Sequence, residues 1–283
     1  MAISGKGKEV IIMVNCLFSS MRPVQWYKNT LLFMGLVFSG NLLNYSMWLS
    51  AIFSFVVFCL LSSSVYIMND IFDVRFDKRH PLKSKRPIAS GRLQKISALI
   101  FSLLLTIFAL AVAYWLGLIF FVACVLFLVL NFLYSWKLKR VMMLDLLIIG
   151  VDFVIRTIAG CLVIGAPISA WVTVCAFFLA LVLVIGKRRN ENTNGYTQQM
   201  CDMAICVCLG VLIVSYSLYT FHTGNLWMLV TIPVVVYGLF RYLWIVQSYN
   251  AGGDMVRVLK DKGILASIVV WVGSCVTILY LKG

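Results

Sequence analysis

The sequence is poor in charge, and above all in negative charge. Only 12% of its 283 residues are charged, with 10 acidic residues against 24 lysines and arginines. A soluble domain carries about 25% charged residues. A chain that is 62% hydrophobic with a mean hydropathy of +0.98 is therefore not a soluble globular protein. The net charge of +14 does not require nucleic acid, because membrane-protein loops facing an anionic leaflet are also basic. We predict a membrane protein with no nucleic-acid partner.

Histidines are few, and paired cysteine motifs and low-complexity linkers are missing. The histidines are His80 and His222, and none of the nine cysteines forms a CxxC pair. Most cysteines lie in apolar runs, so we expect small apolar fillers rather than zinc ligands or disulfides. Without a linker, the chain is predicted to form an N-terminal interfacial segment, residues 1–20, and a single transmembrane domain, residues 21–283.

Long apolar runs fill most of the chain. A transmembrane helix needs about 20 apolar residues, so the runs predict an all-α polytopic membrane protein with about nine transmembrane helices. The predicted spans are residues 29–43, 47–69, 96–115, 117–135, 142–164, 168–186, 203–221, 226–247 and 263–281. Of the 24 lysines and arginines, 21 lie at one face of this arrangement. The positive-inside rule places that face and the N-terminus in the cytoplasm, with the chain in the plasma membrane.

The end of the second predicted span is the most acidic stretch. Asn69, Asp70, Asp73 and Asp77 fall on one helical face over about two turns. Carboxylates this close repel one another unless a cation lies between them. Oxygen ligands of this kind suit Mg²⁺, and the basic residues that follow suit phosphate. The stretch predicts a metal-diphosphate site, with a solvated charged loop behind a helix cap as the alternative.

The fifth predicted span carries three charged residues inside an apolar run. Charges within a span are costly and seldom face lipid. Asp152 and Arg156 have the i,i+4 spacing of a structural ion pair, which is the alternative to a catalytic role. Asp145 lies near the cytoplasmic end of the span. We expect it to act as a second metal ligand or as an acceptor that orients a basic or hydroxyl group.

Basic residues at the same face have two interpretations. Arg22 and Lys28 lie near aromatic residues at the membrane edge, as an interface anchor would, but they also share a helical face that can reach the site. Lys187 and Arg188 end the sixth span, either as a solvated cluster or as a phosphate clamp. Arg241 lies within the eighth span and needs an acid or a phosphate as its partner.

Several motifs together resemble the UbiA-type intramembrane prenyltransferase superfamily. They are Asn-Asp-x-x-Asp-x-x-x-Asp from Asn69 and Tyr-Ser-x-x-Leu-Lys from Tyr134, followed by Asp145. Finer matches are similar to the decaprenyl-phosphate phosphoribosyltransferase branch. They are Arg22-Pro23-x-Gln25-Trp26-x-Lys28-Asn29, Asp77-x-x-His80-Pro81-x-Lys83-x-x-Arg86-Pro87, Arg156-x-x-Ala159-Gly160 and Gly186-Lys187-Arg188. The residue four after Asp145 is Ile149, so a second aspartate pair typical of aromatic prenyltransferases is incomplete, which favours the phosphoribosyl branch.

The resemblance implies a helical bundle around a central cavity open to the cytoplasm. The implied activity is Mg²⁺-dependent transfer of 5-phosphoribose from phosphoribosyl pyrophosphate to a decaprenyl-like polyprenyl phosphate, for cell-envelope synthesis. The implied catalytic residues are Asp73, Asp77 and Asp145, and the implied metal ligands are Asn69, Asp70, Asp73 and Asp77. The implied substrate-binding residues are Arg22, Lys28, Tyr66, Lys83, Arg86, Tyr134, Lys139, Arg156, Lys187 and Arg188.

Two other functions remain open at this stage. A prenyltransferase acting on an aromatic or glycerol-phosphate acceptor would use the same acids for a prenyl diphosphate. A lipid-phosphate transporter would release no pyrophosphate, but three carboxylates near one leaflet suit a bound metal better than a translocation path. The sequence also leaves open whether the chain assembles as a homo-oligomer.

Overall fold

The computed structural model describes residues 5–191, 195–249, 258 and 260–281. Lys6, Lys8, Arg257 and Lys282, which contribute to the predicted charge asymmetry, lie outside the described side chains. Within these ranges every regular element is a helix. The α-helices are α1 Gly5–Met21, α2 Met34–Phe38, α3 Tyr45–Asp77, α4 Lys95–Leu116, α5 Leu118–Trp136, α6 Leu144–Val163, α7 Ala170–Glu191, α8 Gln198–His222, α9 Ile232–Tyr249 and α10 Lys262–Leu281. Short 3₁₀ helices are Pro23–Phe33, Lys83–Lys85, Leu138–Arg140 and Leu226–Thr231.

Eight of the described helical segments are long and apolar enough to cross a membrane. Seven of them follow the predicted spans within about five residues, because in lipid an uninterrupted apolar run satisfies its backbone groups only by forming a helix. The exception is α3, which continues through Asp77 instead of ending near Asn69. The Asn44 side chain caps its start by accepting from the Ser46 and Met47 backbone N–H groups. The acidic stretch is therefore the end of a 33-residue helix.

The first predicted span differs from expectation in bounds and helix type. It is a 3₁₀ helix, Pro23–Phe33, continued by α2 to Phe38, and so begins six residues before the predicted start at residue 29. A 3₁₀ helix rises about 2 Å per residue, so these segments together span about 30 Å. The segment begins beside the end of α3, where Arg22 pairs with Asp70. It ends near the start of α3, where Leu36 and Ala51 share one apolar cluster. There the hydroxyl of Tyr280 in α10 donates to the Val37 carbonyl at 3.2 Å and accepts from the Leu42 N–H at 3.0 Å. This segment makes the ninth pass through the described bundle.

Two glycines let this segment lie directly against α6. A Cβ placed on Gly160 would stand 2.1 Å from the Leu32 carbonyl oxygen, and one on Gly35 would stand 3.0 Å from the Cys161 backbone. Small residues at helix contacts allow backbones to approach closely in a membrane, where van der Waals packing drives association. The glycines therefore fix how closely the ninth pass lies against α6.

We expect Gly160→Ala to destabilise the protein by about 1–3 kcal/mol, because its methyl group meets backbone that has no room to give. Thermal unfolding in detergent measures the loss. Gly210→Ala in α8 is the matched control, because a Cβ there meets nothing within 4 Å. Equal midpoints for the two variants would show that the α6 contact is not tight.

Apolar side chains also cover much of the outside of the bundle. On α4, Ile107 is 65% exposed and Phe108 is 61% exposed. Exposed apolar surface on this scale is typical of a lipid-facing protein. Helix α1 packs Cys16 against Ile67 and leaves Ile12 exposed, as an interfacial helix would. The division at residue 20 stays a prediction.

Candidate active site

A polar cavity of about 560 Å³ lies at the end of the bundle where α3 finishes. We call it the polar cavity. The α3 helix extends past its neighbours here, and the loop after it folds back so that Arg86 reaches the helix end. The lining residues are Arg22, Asn69, Asp73, Phe76, Asp77, Lys83, Arg86, Tyr134, Lys139, Arg140, Lys187 and Arg188. Seven of these carry positive charge and two are carboxylates, so the cavity suits a ligand with several negative charges.

Asn69 and Asp73 hold one cation between them. The Lys139 ammonium donates to Asn69 Oδ1 at 2.9 Å and to Asp73 Oδ1 at 2.6 Å. The two acceptors are one turn apart on α3, and Lys139 reaches them from the 3₁₀ turn between α5 and α6. The two oxygens thus bind the same ammonium group. This donor chemistry fits Mg²⁺, which takes one or two carboxylates together with substrate phosphate oxygens.

Asp70 and Asp77 pair instead with arginines. Arg86 Nη1 lies 2.6 Å from Asp77 Oδ2 and 3.1 Å from Asp70 Oδ1. Arg22 also pairs with Asp70 Oδ1, and its guanidinium lies 5.2 Å from the centroid of the Tyr66 ring. Arg22 adopts a left-handed backbone with φ of 52°, which costs a non-glycine residue about 1–2 kcal/mol. The buried Asp70 ion pair offsets this strain.

The four predicted metal ligands therefore divide into two pairs with different partners. Asn69 and Asp73 contact Lys139, whereas Asp70 and Asp77 contact arginines. In the part of the chain that the structure describes, no three histidine, cysteine or acidic side chains gather closely enough to hold a metal ion. The assignment of all four residues to one metal stays a prediction, and the geometry favours the pair Asn69 and Asp73 for it.

Asp145 is completely buried, and its carboxylate orients a basic side chain and a hydroxyl group rather than lining the cavity. It lies in the first turn of α6, where the helix dipole favours a negative charge. Its Oδ2 accepts from Arg188 Nε at 3.0 Å, and Arg188 lines the polar cavity. Its Oδ1 accepts from the Tyr196 hydroxyl at 2.6 Å. Of the two roles left open for Asp145, this geometry is that of the orienting acceptor.

Three predicted substrate-binding residues are not among those that line the polar cavity. Tyr66 lies beneath Arg22, and the Lys28 ammonium lies 6.0 Å from the centroid of the Tyr27 ring. Arg156 is 3% exposed and pairs with Asp152, so these two form the structural ion pair that their spacing allowed. The other predicted substrate-binding residues line the cavity. These are Arg22, Lys83, Arg86, Tyr134, Lys139, Lys187 and Arg188.

The partners of two further residues, Arg241 and Tyr196, lie outside the lining of the polar cavity. Arg241 finds the acid it needs in Asp261, with Nη2 to Oδ2 at 3.0 Å, and this hydrogen bond lowers the pKa of the Asp261 carboxyl. Tyr196 is buried beside Asp145 and was not among the residues predicted for the site. Its only sequence signal is an aromatic residue in an otherwise polar connection between α7 and α8.

An apolar cavity of about 350 Å³ lies beside the polar one. We call it the apolar chamber, and it is bounded by the 3₁₀ segment, α2 and α7 to α10. Leu183 of α7 lines the chamber, and Lys187, one turn further along, lines the polar cavity. Likewise, Tyr27 lines the chamber and Arg22, five residues earlier, lines the polar cavity. A ligand with a charged head and an apolar chain matches this pair of cavities.

The eight described span-length apolar helices and a cationic cavity at one end of the bundle define a polytopic membrane protein with a site suited to an anionic ligand. Residues 30–260 match the UbiA prenyltransferase family, and the chain belongs to that family. It is 27% identical over 95% of its length to the decaprenyl-phosphate phosphoribosyltransferase of Mycolicibacterium smegmatis, covering 94% of that protein. It is also 27% identical over 90% of its length to the enzyme of the same name from Mycobacterium tuberculosis, covering 91% of it.

The fold is that of a solved family member. A UbiA homologue from Archaeoglobus fulgidus, solved with GPP and Mg²⁺ bound, superposes with a TM-score of 0.75. The likeness covers 93% of this chain and 99% of that one, at 16% sequence identity. The predicted UbiA-like bundle is thereby confirmed.

Proposed function

We propose that the protein transfers 5-phosphoribose from phosphoribosyl pyrophosphate to a polyprenyl phosphate and releases pyrophosphate. The observation that carries the proposal is the charge of the polar cavity, where seven cationic side chains face two carboxylates. Phosphoribosyl pyrophosphate carries a diphosphate and a separate 5-phosphate, so it can use more of these cations than a prenyl diphosphate can. The relatives named for this reaction support the same substrate class.

The surroundings of α6 also favour phosphoribosyl transfer. A second metal-diphosphate site would need a carboxylate one turn after Asp145. That position is Ile149, which packs against the buried Phe153 and Ala180. The aspartate pair of such a second site is therefore not formed at the start of α6, where Asp145 is engaged by Arg188 and Tyr196.

The roles of the residues follow from their positions. Arg86, Lys187 and Arg188 bind donor phosphates through charge-assisted hydrogen bonds. Asn69 and Asp73 would hold Mg²⁺, which would offset the charge that develops on the leaving pyrophosphate. The A. fulgidus homologue was solved with Mg²⁺ bound, which supports a divalent metal ion as the cofactor. Asp77 keeps Arg86 directed at the cavity, since the two are 2.6 Å apart.

The acceptor needs no strong base. A lipid phosphate is already ionised near pH 7, because its second pKa is about 6. One of its oxygens forms a bond to the anomeric carbon of the ribose. The bond from that carbon to the pyrophosphate oxygen breaks, and its electron pair leaves with pyrophosphate. We place the polyprenyl chain in the apolar chamber and its phosphate near Arg22, which lines the polar cavity five residues before Tyr27 of the chamber. We place this end of the bundle in the cytoplasm, as the charge asymmetry predicts.

Purified protein in detergent distinguishes the candidate reactions. With Mg²⁺, radiolabelled phosphoribosyl pyrophosphate and polyprenyl phosphate, we expect label in the lipid phase and one pyrophosphate released per label transferred. A chelator should abolish both. The second candidate is prenyl transfer, which the GPP-bound homologue favours. It predicts pyrophosphate release only from a prenyl diphosphate with an aromatic or glycerol-phosphate acceptor. No pyrophosphate release with any of these donors would contradict both transfer reactions and favour a lipid-phosphate transporter.

A further inference from the structure

The connection between α7 and α8 sends one aromatic side chain into the bundle. Tyr196 is 5% exposed, although its neighbours in sequence are polar. Gly195 precedes it with φ of +79°, a backbone that glycine adopts without strain. This turn lets the Tyr196 ring pack in the cluster that contains Leu146 and Ile205. The ring is held by apolar contacts, so its hydroxyl has a fixed position.

The Tyr196 hydroxyl joins two parts of the polar cavity wall. It donates to Asp145 Oδ1 at 2.6 Å and accepts from the Met143 backbone N–H at 2.8 Å. Met143 has a left-handed φ of 68° and ends the short connection that carries Lys139. The same hydroxyl therefore contacts the carboxylate behind Arg188 and the backbone that follows Lys139.

Asp145 divides its two oxygens between Tyr196 and Arg188. Oδ1 accepts from the phenol, and Oδ2 accepts from Arg188 Nε at 3.0 Å. Burial raises the pKa of Tyr196 to about 12, so the phenol keeps its proton and remains a donor at any working pH. Without this donor, a completely buried carboxylate would have one unsatisfied oxygen and could rotate toward other partners.

We propose that Tyr196 is a positioning residue, which fixes the Asp145 carboxylate and thereby directs the Arg188 guanidinium into the polar cavity. The inference rests on the proposed function for the ligand that Arg188 binds, a diphosphate or the 5-phosphate of the donor. Tyr196 itself does not line the cavity and is not expected to contact substrate.

Tyr196→Phe tests the proposal with little risk to folding, because the buried ring stays. We expect it to raise the KM for phosphoribosyl pyrophosphate about tenfold and to change kcat less than threefold, since a lost hydrogen bond to a charged group weakens positioning by roughly that factor. Inorganic pyrophosphate binding, measured by calorimetry, should weaken by the same factor. Tyr280→Phe is the matched control, because it removes a hydroxyl that bonds backbone groups at the other end of the bundle.

A double-variant cycle shows whether the effect passes through Arg188. In an Arg188→Gln background, Tyr196→Phe should no longer change pyrophosphate affinity. An equal loss in both backgrounds, or a loss matched by Tyr280→Phe, would overturn the proposal. If the wild-type protein does not transfer phosphoribose from phosphoribosyl pyrophosphate to any polyprenyl phosphate, the proposed function fails. In that case the double-variant cycle, measured by pyrophosphate affinity, still tests the positioning role of Tyr196.

Discussion

Asp73→Asn is expected to reduce phosphoribosyl transfer at least about 100-fold with little change in unfolding temperature, because it removes the carboxylate on which the proposed metal site depends. Asp73 Oδ1 lies 2.6 Å from the Lys139 ammonium, beside Asn69 Oδ1. The amide is isosteric and can still accept from Lys139, so the fold is retained while the anionic ligand is lost. Initial rates across a Mg²⁺ titration measure the effect.

Asp261→Asn is the matched control for Asp73→Asn. It makes the same chemical change in an acid that also pairs with a basic side chain, Arg241, but that does not line the polar cavity. We expect its rates to stay within a few-fold of the wild type. Full Mg²⁺-dependent turnover by Asp73→Asn would refute the site.

The largest loss of stability is expected from Asp152→Ala. Arg156 is 3% exposed within the bundle, and its charge is balanced by Asp152. Asn29 accepts from Arg156 Nε at 2.9 Å, and Asn131 donates to Asp152 Oδ1 at 2.8 Å. Removing one partner of a buried ion pair costs about 3–5 kcal/mol, because the other charge is left uncompensated. Thermal or denaturant unfolding in detergent measures the change.

A double replacement tests the reason for that loss. Asp152→Leu with Arg156→Met removes both charges and keeps apolar volume, so it should recover much of the stability lost in Asp152→Ala. Asp202→Ala, at a more exposed pair with Arg189, should cost less than Asp152→Ala. A double variant less stable than the single one would show that Arg156 and Asp152 act independently.

The helices could be predicted from the sequence because their cause is local. Apolar runs long enough to span lipid leave a helix as the only way to satisfy the backbone, and α4, α5 and α6 lie within two residues of expectation. Residues 23–38 were harder, because a 3₁₀ and an α-helix share the same apolar composition. The contact between Leu32 and Gly160, 128 positions apart, supplies the tertiary packing that a local pattern does not contain.

The acidic cluster could be located in the sequence, but the partner of each acid could not. The periodicity of α3 places Asn69, Asp73 and Asp77 together, yet Lys139 reaches Asp73 from 66 residues away. Asp145 was recognisable as a charge in an apolar run. Its contact with Tyr196 depends on how the α7–α8 connection folds back over α6. Such long-range pairings are decided by packing.

The length of α3 has a consequence for where the two proposed substrates would meet. From its cap at Asn44 to Asp73 the helix rises about 43 Å, whereas the hydrocarbon core of a bilayer is about 30 Å thick. We therefore place the Asp73 carboxylate at the depth of the lipid headgroups. The proposed water-soluble donor could arrive there without entering the hydrocarbon core, and the proposed lipid acceptor would present its phosphate at the same level.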